Sequence, residues 1–398
     1  MTTVASWPLP DIDESRIVDF DFFDVTPVDG DLHAGWKDWG DRFDAPFYTP
    51  RNGGHWVVTK AAHIGEIFKD YVHFSNSGIA LFRDPGDARF IPGELDPPLH
   101  KDFRVHLDPE VSPARLRAFQ DEARELTRAL LDEIEPERGC EFQARVGHIM
   151  PIYNFLIYMG LPTQDAHDLL PYVAVIGRSP DEASFATAIS ALTSYIEDRL
   201  VERQKAPKDD FLSRLLAARI GDLAITPGQV RATAINVLLG GLDTVTASMG
   251  FFMKFLAEHP DHRRRLADYP ATIPMAVEEL LRRHGIFNTA RLVLEDFDFH
   301  GTIFRARDLV MVPTVLYNVD ERRFPDPLTV DFDRKDKGHL TFASGIHRCL
   351  GQNFARIQLH LLLQEWLARI PDFAIDPNDA PVVRSGRANS VVRLPLSW

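Results

Sequence analysis

Cysteine is scarce in this chain, and its scarcity narrows the class of protein. Cys140 and Cys349 are the only two cysteines among 398 residues, which excludes a framework of disulfides and favours a reducing compartment. Residues 1–16 have neither the basic nor the apolar segment of a signal peptide. We also expect no apolar run as long as the roughly 18 residues that span a bilayer. These absences predict a soluble, cytoplasmic protein that is not embedded in a membrane.

The chain has no excess of basic charge. With 58 acidic residues against 44 Lys and Arg its net charge is −14, which argues against a nucleic-acid partner because such binding depends on clustered cations. The basic run at residues 334–337 is interpreted as a solvated turn. There is no Gly/Ser linker, long charge block or repeat. We therefore expect one domain over residues 1–398, with about the first 15 residues loosely ordered.

Helical periodicity dominates what is present. The predicted fold class is mainly α, with a small β-rich region. Helices are expected over residues 61–70, 98–107, 113–134, 142–159, 183–204, 208–218, 226–258, 260–267, 271–283 and 352–369. Strands are expected over residues 56–59, 297–299, 309–312 and 391–394, with a hairpin that turns at Gly301.

Cys349 lies in a loop that leads directly into an apolar helical run beginning at Gln352. The loop reads Phe342-Ala-Ser-Gly345-Ile-His347-Arg-Cys349-Leu-Gly351. Backbone N–H groups at a helix start are unpaired and carry the positive end of the dipole, so a thiolate there would be stabilised. The glycines would let a flat group approach the backbone. This pattern is typical of an axial thiolate ligand to haem iron. The alternative is an inert cysteine buried at a helix start.

The longest predicted helix, over residues 226–258, has a defect in its middle. Its apolar character on nearly every side predicts burial, yet it contains the run Gly240-Gly241-Leu242-Asp243-Thr244. Glycine, aspartate and threonine are each unfavourable in a buried helix, so together they indicate a site. Thr244 could bond back to a carbonyl and loosen the helix. The alternative is structural, with Asp243 in a buried ion pair and Thr244 at a kink.

These two motifs resemble those of the cytochrome P450 superfamily, and a third supports the resemblance. The loop matches F-G-x-G-x-H/R-x-C-x-G, with Ala343 where glycine is usual, and the helix defect matches A/G-G-x-D/E-T. Glu279 and Arg282 match E-x-x-R, a buried structural pair. The resemblance covers almost the whole chain. It implies the P450 fold, with haem b between the long central helix and the cysteine loop.

The resemblance also implies roles for individual residues. Cys349 would be the metal ligand, the axial thiolate of the haem iron, and O2 the co-substrate. Thr244 would hydrogen-bond the activated oxygen, and Asp243 would gate proton delivery. The other cofactor-binding residues would hold the propionates or border the ring: His100, Arg104, Gly240, Arg291, Phe342, Gly345, His347 and Gly351. The third member of the Glu279–Arg282 network stays open, because residues 327–330 lack the usual arginine and Arg322 or Arg323 are the candidates.

Within the superfamily the sequence most resembles the bacterial camphor-hydroxylase group. Those enzymes carry a tyrosine that hydrogen-bonds the substrate at the position of Ala88, so a different ligand is expected. We predict a larger or differently shaped terpenoid, such as a norisoprenoid like an ionone. Asn236 would supply the polar contact, or else it is an amide that packs the helix. The predicted substrate-facing residues are Ile79, Phe82, Ala88, Asn236, Leu239, Phe287, Asn288, Arg387 and Ala388.

The sequence shows no flavin fold, nicotinamide fold or fused ferredoxin. The resemblance to soluble bacterial enzymes implies a separate [2Fe-2S] ferredoxin with its flavin reductase. Lys101, Arg104, Lys335 and Lys337 form a candidate basic patch for that partner. The predicted activity is hydroxylation of a small apolar substrate by a haem-thiolate monooxygenase. The alternatives are a peroxide-driven enzyme, which would normally lack the acid–alcohol pair, and a non-enzymatic haem sensor.

Overall fold

A computed structural model describes residues 12–79, 90–178 and 182–398 of the chain. Two predicted substrate-facing residues, Phe82 and Ala88, lie outside the described residues. Residues 1–11, which make up most of the N-terminal segment predicted to be loosely ordered, also lie outside them.

Thirteen α-helices are present in the described residues. They are α1 Leu32–Asp41, α2 Ala61–Ile67, α3 Leu99–Leu107, α4 Pro113–Ile134, α5 Ile149–Met159, α6 Ala166–Arg178, α7 Glu182–Lys205, α8 Phe211–Ala217, α9 Pro227–Glu258, α10 Pro260–Asp268, α11 Ile273–Arg283, α12 Thr314–Asn318 and α13 Gln352–Arg369. The ten predicted helices correspond to α2–α5, α7–α11 and α13, and the pattern did not indicate α1, α6 or α12. The first residues of the helix predicted over 142–159 form a separate π-helical turn, Gln143–Gly147.

The strands are short and form small sheets. They are β1 Phe47–Thr49, β2 His55–Val57, β3 Phe74–Ser75, β4 Gly139–Glu141, β5 Arg219–Ile220, β6 Leu223–Ala224, β7 Asn288–Val293, β8 Phe297–Phe299, β9 Thr302–Phe304, β10 Leu309–Pro313, β11 Ala374–Ile375, β12 Val382–Arg384, β13 Ser390–Arg393 and β14 Pro395–Ser397. The largest sheet has the order β1-β2-β10-β7-β3, and a three-stranded sheet has the order β11-β14-β4. The predicted hairpin is confirmed as β8–β9, and its turn residues His300 and Gly301 have φ angles of 51° and 80°.

The longest helix, α9, begins as its sequence predicts. The Thr226 hydroxyl accepts a hydrogen bond from the Gln229 N–H at 3.3 Å, and the Gln229 side chain accepts one from the Thr226 N–H at 3.0 Å. The expectation that no apolar run could span a bilayer is wrong by length and composition, because α9 has an 18-residue window with a mean hydropathy of 1.3. However, 61% of that window is buried inside the protein, which is typical of a core helix.

Two clusters of buried apolar side chains meet along α9. One contains the residues of α9 from Val245 onward, together with residues of α4, α11, α13 and the five-stranded sheet. The other contains the residues of α9 up to Leu242, together with residues of α5, α7 and α8. The clusters therefore change over at Asp243 and Thr244, where the sequence places polar residues. The helix α13 packs against α4, α9 and α11, and this packing fixes the direction of the loop that precedes it.

Candidate active site

The loop before α13 is tied to its surroundings by backbone hydrogen bonds. The Cys349 N–H donates to the Phe342 carbonyl at 2.9 Å, which closes the loop around the short 3-10 turn Gly345–His347. At the start of the loop the Thr341 hydroxyl donates to the Leu281 carbonyl at 2.6 Å and accepts from the Asn318 amide at 2.8 Å. Cys349 is therefore held three residues before α13, close to the unpaired N–H groups of the helix start.

The Cys349 side chain is exposed by its accessible surface, yet protein atoms surround it closely. This enclosure raises the pKa of the thiol, because burial disfavours the thiolate. A backbone hydrogen bond from Gly351 and the positive charges of Arg104, Arg356 and Arg348 act in the opposite direction. A metal cation at the sulfur would favour the thiolate outright.

The glycines of the two motifs differ in their surroundings. A Cβ atom added to Gly240 or Gly351 would meet no other atom within 4 Å, so both border open space. Gly345 instead has φ +70°, and an added Cβ would lie 2.2 Å from the Phe68 carbonyl. Its lack of a side chain therefore serves the packing of the loop on the residues after α2. Ala343, the departure from the motif, also has a left-handed φ of 54°.

The middle of α9 carries an acid and an alcohol side by side, Asp243 and Thr244. The Thr244 hydroxyl donates to the Gly240 carbonyl at 2.9 Å, which is the predicted bond back along the helix. The helix is assigned without interruption through this point, from Pro227 to Glu258. Burial raises the pKa of Asp243 to about 6. Within the described residues no donor reaches its carboxylate, and the alternative of a buried ion pair finds no partner there.

Basic side chains gather on the other flank of the cysteine loop. Arg291 on β7 is buried, and its guanidinium donates to neutral oxygens of Thr289 and Ala290 at 3.2 and 2.7 Å. Burial lowers its pKa to about 10, with the Asp96 charge opposing that shift. The rings of His100 and His347 lie 4.2 Å apart between their centroids, and His347 Nε2 is buried without a partner.

These groups fit the haem that the sequence motifs imply. Burial lowers the pKa of His347 to about 3, helped by the positive charges of His100, Arg291 and Arg104. Arg291 is a buried cation that no carboxylate among the described residues binds, and His347 Nε2 is a buried nitrogen without a partner there, so this cluster is suited to an anion such as a propionate. Arg104 already donates to Asp108 at 2.8 Å and to the Arg348 carbonyl at 3.1 Å, so it is the least free of the four. The described residues contain no group of three or more metal-ligating side chains, which is compatible with a single cysteine ligand.

The structural pair Glu279–Arg282 is completely buried, and its network closes through Arg334. Arg282 donates to both Glu279 carboxylate oxygens at 2.8 and 2.9 Å. Arg334 Nε donates to Glu279 Oε1 at 3.1 Å. The two candidates from the sequence are both wrong, since Arg322 pairs with Asp320 and Arg323 with Asp336. The interpretation of residues 334–337 as a solvated turn is also wrong for Arg334, whose side chain is 12% exposed.

The described substrate-facing residues fall into two groups. Asn236 and Leu239 are half-buried on α9, four residues and one residue before Gly240. The others lie where residues 287–290 run beside residues 387–388. Phe287 pairs with Ala388 in a β-bridge, and the Asn288 N–H donates to the Arg387 carbonyl at 2.9 Å. The Ile79 carbonyl accepts a hydrogen bond from the Ala290 N–H. The Arg387 side chain is exposed, whereas Asn288 is buried and donates to the Gly386 carbonyl at 2.7 Å.

The Asn236 amide has an unusual environment. Its oxygen and nitrogen lie 3.4 and 3.5 Å from the position of a Cβ added to Gly93, so the loop at residues 90–98 passes directly over it. That loop is fixed in place because the Asn76 amide donates to the Gly93 carbonyl at 2.7 Å. Among the described residues the Asn236 amide makes no hydrogen bond. It is thus a polar group beside an apolar region, and protein groups in the described residues do not satisfy it.

Only some side chains of the predicted basic patch for the ferredoxin are free of hydrogen bonds to this chain. Lys337 Nζ donates to the carbonyls of Phe332 and Arg334 at 2.9 and 2.6 Å. Lys101 and Lys335 are exposed. A surface cavity of about 660 Å³ lies against α2, α12 and the residues after α12, and none of the predicted haem-binding or substrate-facing residues lines it.

Comparisons with known proteins show the family and the fold of this chain. The cytochrome P450 family model matches residues 165–268 and 272–393. The chain is 32% identical to the probable cytochrome P450 127A1 of Sinorhizobium fredii, over 99% of this chain and 98% of that protein. It is 30% identical to nocardicin C N-oxygenase of Nocardia uniformis subsp. tsuyamanensis, over 94% and 97%. The solved structures of CYP101J2 and CYP101C1 each give a TM-score of 0.90 over 97% of this chain and 98% of theirs, at 30% and 31% identity.

Proposed function

The chain belongs to the cytochrome P450 family and is a haem-thiolate monooxygenase that uses O2, and from this premise we propose its site residues, substrate and electron donor. Its structural likeness to the CYP101 enzymes agrees with the predicted resemblance to the camphor-hydroxylase group. The proposed reaction is hydroxylation of a small apolar terpenoid-like molecule, with a norisoprenoid such as an ionone as the first candidate. The observation that carries the proposal is the placement of Cys349 in a closed loop at the start of α13.

When bound, the haem supplies reductive activation of O2 at an iron held by a cysteine thiolate. In our proposal Cys349 is that ligand, and Arg291, His100 and His347, with a weaker contribution from Arg104, hold the propionates. The support for these roles is the buried Arg291, which no carboxylate among the described residues binds, and the buried His347 Nε2, which has no partner there. Gly240 and Gly351 border the ring because neither presents a side chain to the open space beside it.

Thr244 and Asp243 would hold and transfer the protons that the reaction consumes. The Thr244 hydroxyl would donate its proton toward the reacting oxygen, since its present bond to the Gly240 carbonyl is a local one within the helix that it can exchange. The Asp243 carboxyl, with a pKa of about 6, lies close enough to neutrality to accept and release a proton during turnover. The acid–alcohol pair therefore favours a monooxygenase over the peroxide-driven alternative.

Asn236 would be the polar contact to the substrate. Its amide makes no hydrogen bond within the described residues, and an oxygen function on an otherwise apolar ligand would satisfy it. Apolar contacts would come from Leu239 on α9 and from Phe287 and Ala388, which pair with each other in an isolated β-bridge. This combination favours a terpenoid ketone or alcohol over a pure hydrocarbon.

Electrons would come from a separate [2Fe-2S] ferredoxin and its flavin reductase, in the cytoplasm. Lys101 and Lys335 are the exposed members of the predicted docking patch. Replacing Lys101 by glutamate should slow electron transfer and weaken its dependence on salt. An unchanged rate and salt dependence in stopped-flow reduction would remove this patch from the proposal. We also propose that residues 1–398 form one domain, and the support for this is that both apolar clusters of the described residues include side chains of α9.

Reconstitution with ferredoxin, reductase and NADH tests the proposed function. We expect substrate-dependent NADH consumption and a hydroxylated product from β-ionone. Thr244→Ala should reduce product per NADH by about tenfold or more, because the alcohol that donates to oxygen is lost. Ser248→Ala is the matched control, since the Ser248 hydroxyl also bonds back along α9, to the Thr244 carbonyl at 3.0 Å. No turnover with any terpenoid would favour the sensor alternative.

A further inference from the structure

Two neighbouring glutamates on α11 serve two different networks. Glu279 is buried in the Arg282–Arg334 network, whereas Glu278 faces α13 and binds Arg356. The Glu278 oxygens accept from Arg356 Nε at 2.6 Å and from its terminal nitrogen at 3.0 Å. The other terminal nitrogen donates to the Gln352 side chain at 3.2 Å. This bidentate arrangement fixes the plane of the guanidinium.

The fixed guanidinium lies over an aromatic ring of the cysteine loop. The Arg356 Cζ atom is 4.5 Å from the centroid of the Phe342 ring. The backbone carbonyl of the same Phe342 accepts the hydrogen bond from the Cys349 N–H at 2.9 Å. A continuous chain of contacts therefore runs from Glu278 through Arg356 and Phe342 to Cys349.

This arrangement differs from an ordinary surface ion pair. The side chains of Arg356 and Glu278 are 20% and 30% exposed, so solvent screens them only in part. Glu278 also has a second basic neighbour, with His339 Nε2 at 3.4 Å from its carboxylate. Arg104, Arg348 and Arg356 bring three positive charges to the cysteine loop, since Arg104 donates to the Arg348 carbonyl at 3.1 Å and Arg356 lies over the Phe342 ring. Of these three, Arg356 is the one with its plane fixed against Phe342.

We propose that Arg356, anchored by Glu278, is a positioning residue that holds Phe342 and the Cys349 loop in place. Its positive charge also raises the reduction potential of the iron that Cys349 would bind. This inference rests on the proposed role of Cys349. The positional effect comes from the stacked, doubly bonded guanidinium, and the electrostatic effect comes from its charge. A change from arginine to lysine separates the two, because lysine keeps the charge but cannot form the flat bidentate contact.

The test uses the haem-loaded enzyme and two readouts other than activity: the ferric–ferrous reduction potential, and the rate of haem transfer to an excess of apomyoglobin. Arg356→Gln should lower the reduction potential, because a nearby positive charge is lost. At a fixed applied potential, the ratio of ferrous to ferric enzyme should fall by a factor of about three or more. It should also lose haem roughly threefold to tenfold faster. Arg356→Lys should keep most of the potential and lose haem as fast as the glutamine variant.

Arg369→Gln is the matched control on the same helix. It removes an equal charge 13 positions further along α13, about 20 Å away, and should change neither readout. In a double-mutant cycle with Phe342→Leu, the effect of Arg356→Gln on haem loss should largely disappear, because the ring that it stacks on is gone.

Two results would overturn the inference. One is an Arg356→Gln variant whose potential and haem loss equal those of Arg369→Gln, and the other is full additivity in the cycle with Phe342→Leu. Failure of the proposed function is distinguishable from both, since it would appear in the wild-type enzyme as the lack of a thiolate-ligated haem spectrum.

Discussion

Arg334 Nε lies 3.1 Å from the Glu279 carboxylate, although 54 residues separate them in the chain. The same guanidinium donates to the carbonyls of Pro325, Asp326 and Thr329 at 2.8, 3.2 and 3.1 Å. Arg334 therefore ties the segment ahead of the cysteine loop to α11. It gives the fully buried Glu279 a second cation besides Arg282, which a buried carboxylate requires.

Replacing Arg334 by alanine should destabilise the protein by about 1–3 kcal/mol, because buried acceptors lose their donor. The matched control is Arg323→Ala, which breaks an ion pair with the exposed Asp336 and should cost under about 1 kcal/mol. Urea unfolding of both variants measures the difference. Equal losses would contradict the assignment of Arg334 to the buried network.

Ala343 has a left-handed backbone where the motif usually has glycine, with φ at 54°. Ala343→Gly should raise stability by about 0.5–1 kcal/mol, because an alanine is strained in this conformation. Ala355→Gly in the interior of α13 is the control and should lower stability by about 1 kcal/mol. Thermal unfolding that shows a loss in both variants would mean that the loop does not adopt this φ.

Burial raises the pKa of Asp243 to about 6, above its ordinary value of 3.8. Between pH 4 and 6 the folded state then holds more protons than the unfolded state, so this group lowers stability as pH rises through that window. Asp243→Asn should therefore be more stable than wild type at pH 7–8, by no more than about 3 kcal/mol, and the gain should vanish by pH 4. Unfolding curves measured across this range check the sign. A gain that grows on acidification would be the opposite of what burial predicts.

Asn236→Leu should weaken the binding of ligands that carry an oxygen function and leave the binding of pure hydrocarbons intact. Because the amide would lose its bond to the ligand, we expect an ionone to bind about tenfold more weakly. The matching hydrocarbon without the ketone should bind the variant at least as well as wild type. The ferric spin-state shift on titration gives both affinities. Equal weakening for ketone and hydrocarbon would support the alternative that Asn236 only packs the helix.

Much of the fold could be predicted because it depends on local signals. The capping residues and apolar pattern placed α9 within one residue of its observed start. By contrast, α6 contains Pro171, which interrupts the helical pattern. In α1, an added Cβ on Gly35 would lie 2.1 Å from the Thr26 carbonyl. That glycine is required by a tertiary contact, and a sequence pattern shows it only as a weak helix former.

The candidate site likewise contains residues that local sequence motifs predict and residues that depend on tertiary contacts. Residues close in sequence to the cysteine or to the acid–alcohol pair could be found because each motif is contiguous. Arg334 and Arg356 were missed because their partners, Glu279 and Glu278, lie 55 and 78 positions away. Their one signal is the adjacent pair of acids on α11, since two acids on a largely buried helix need two cations.

The absorption spectrum of the reduced, carbon monoxide-bound protein tests the central claim most directly. Wild type and a Cys140→Ser control should both show the red-shifted Soret band of thiolate-ligated haem, because Cys140 lies on β4, away from the loop that places Cys349. Cys349→Ser should lose that band. A histidine-type band in wild type, or a red-shifted band that persists in Cys349→Ser, would contradict the assignment of Cys349 as the iron ligand.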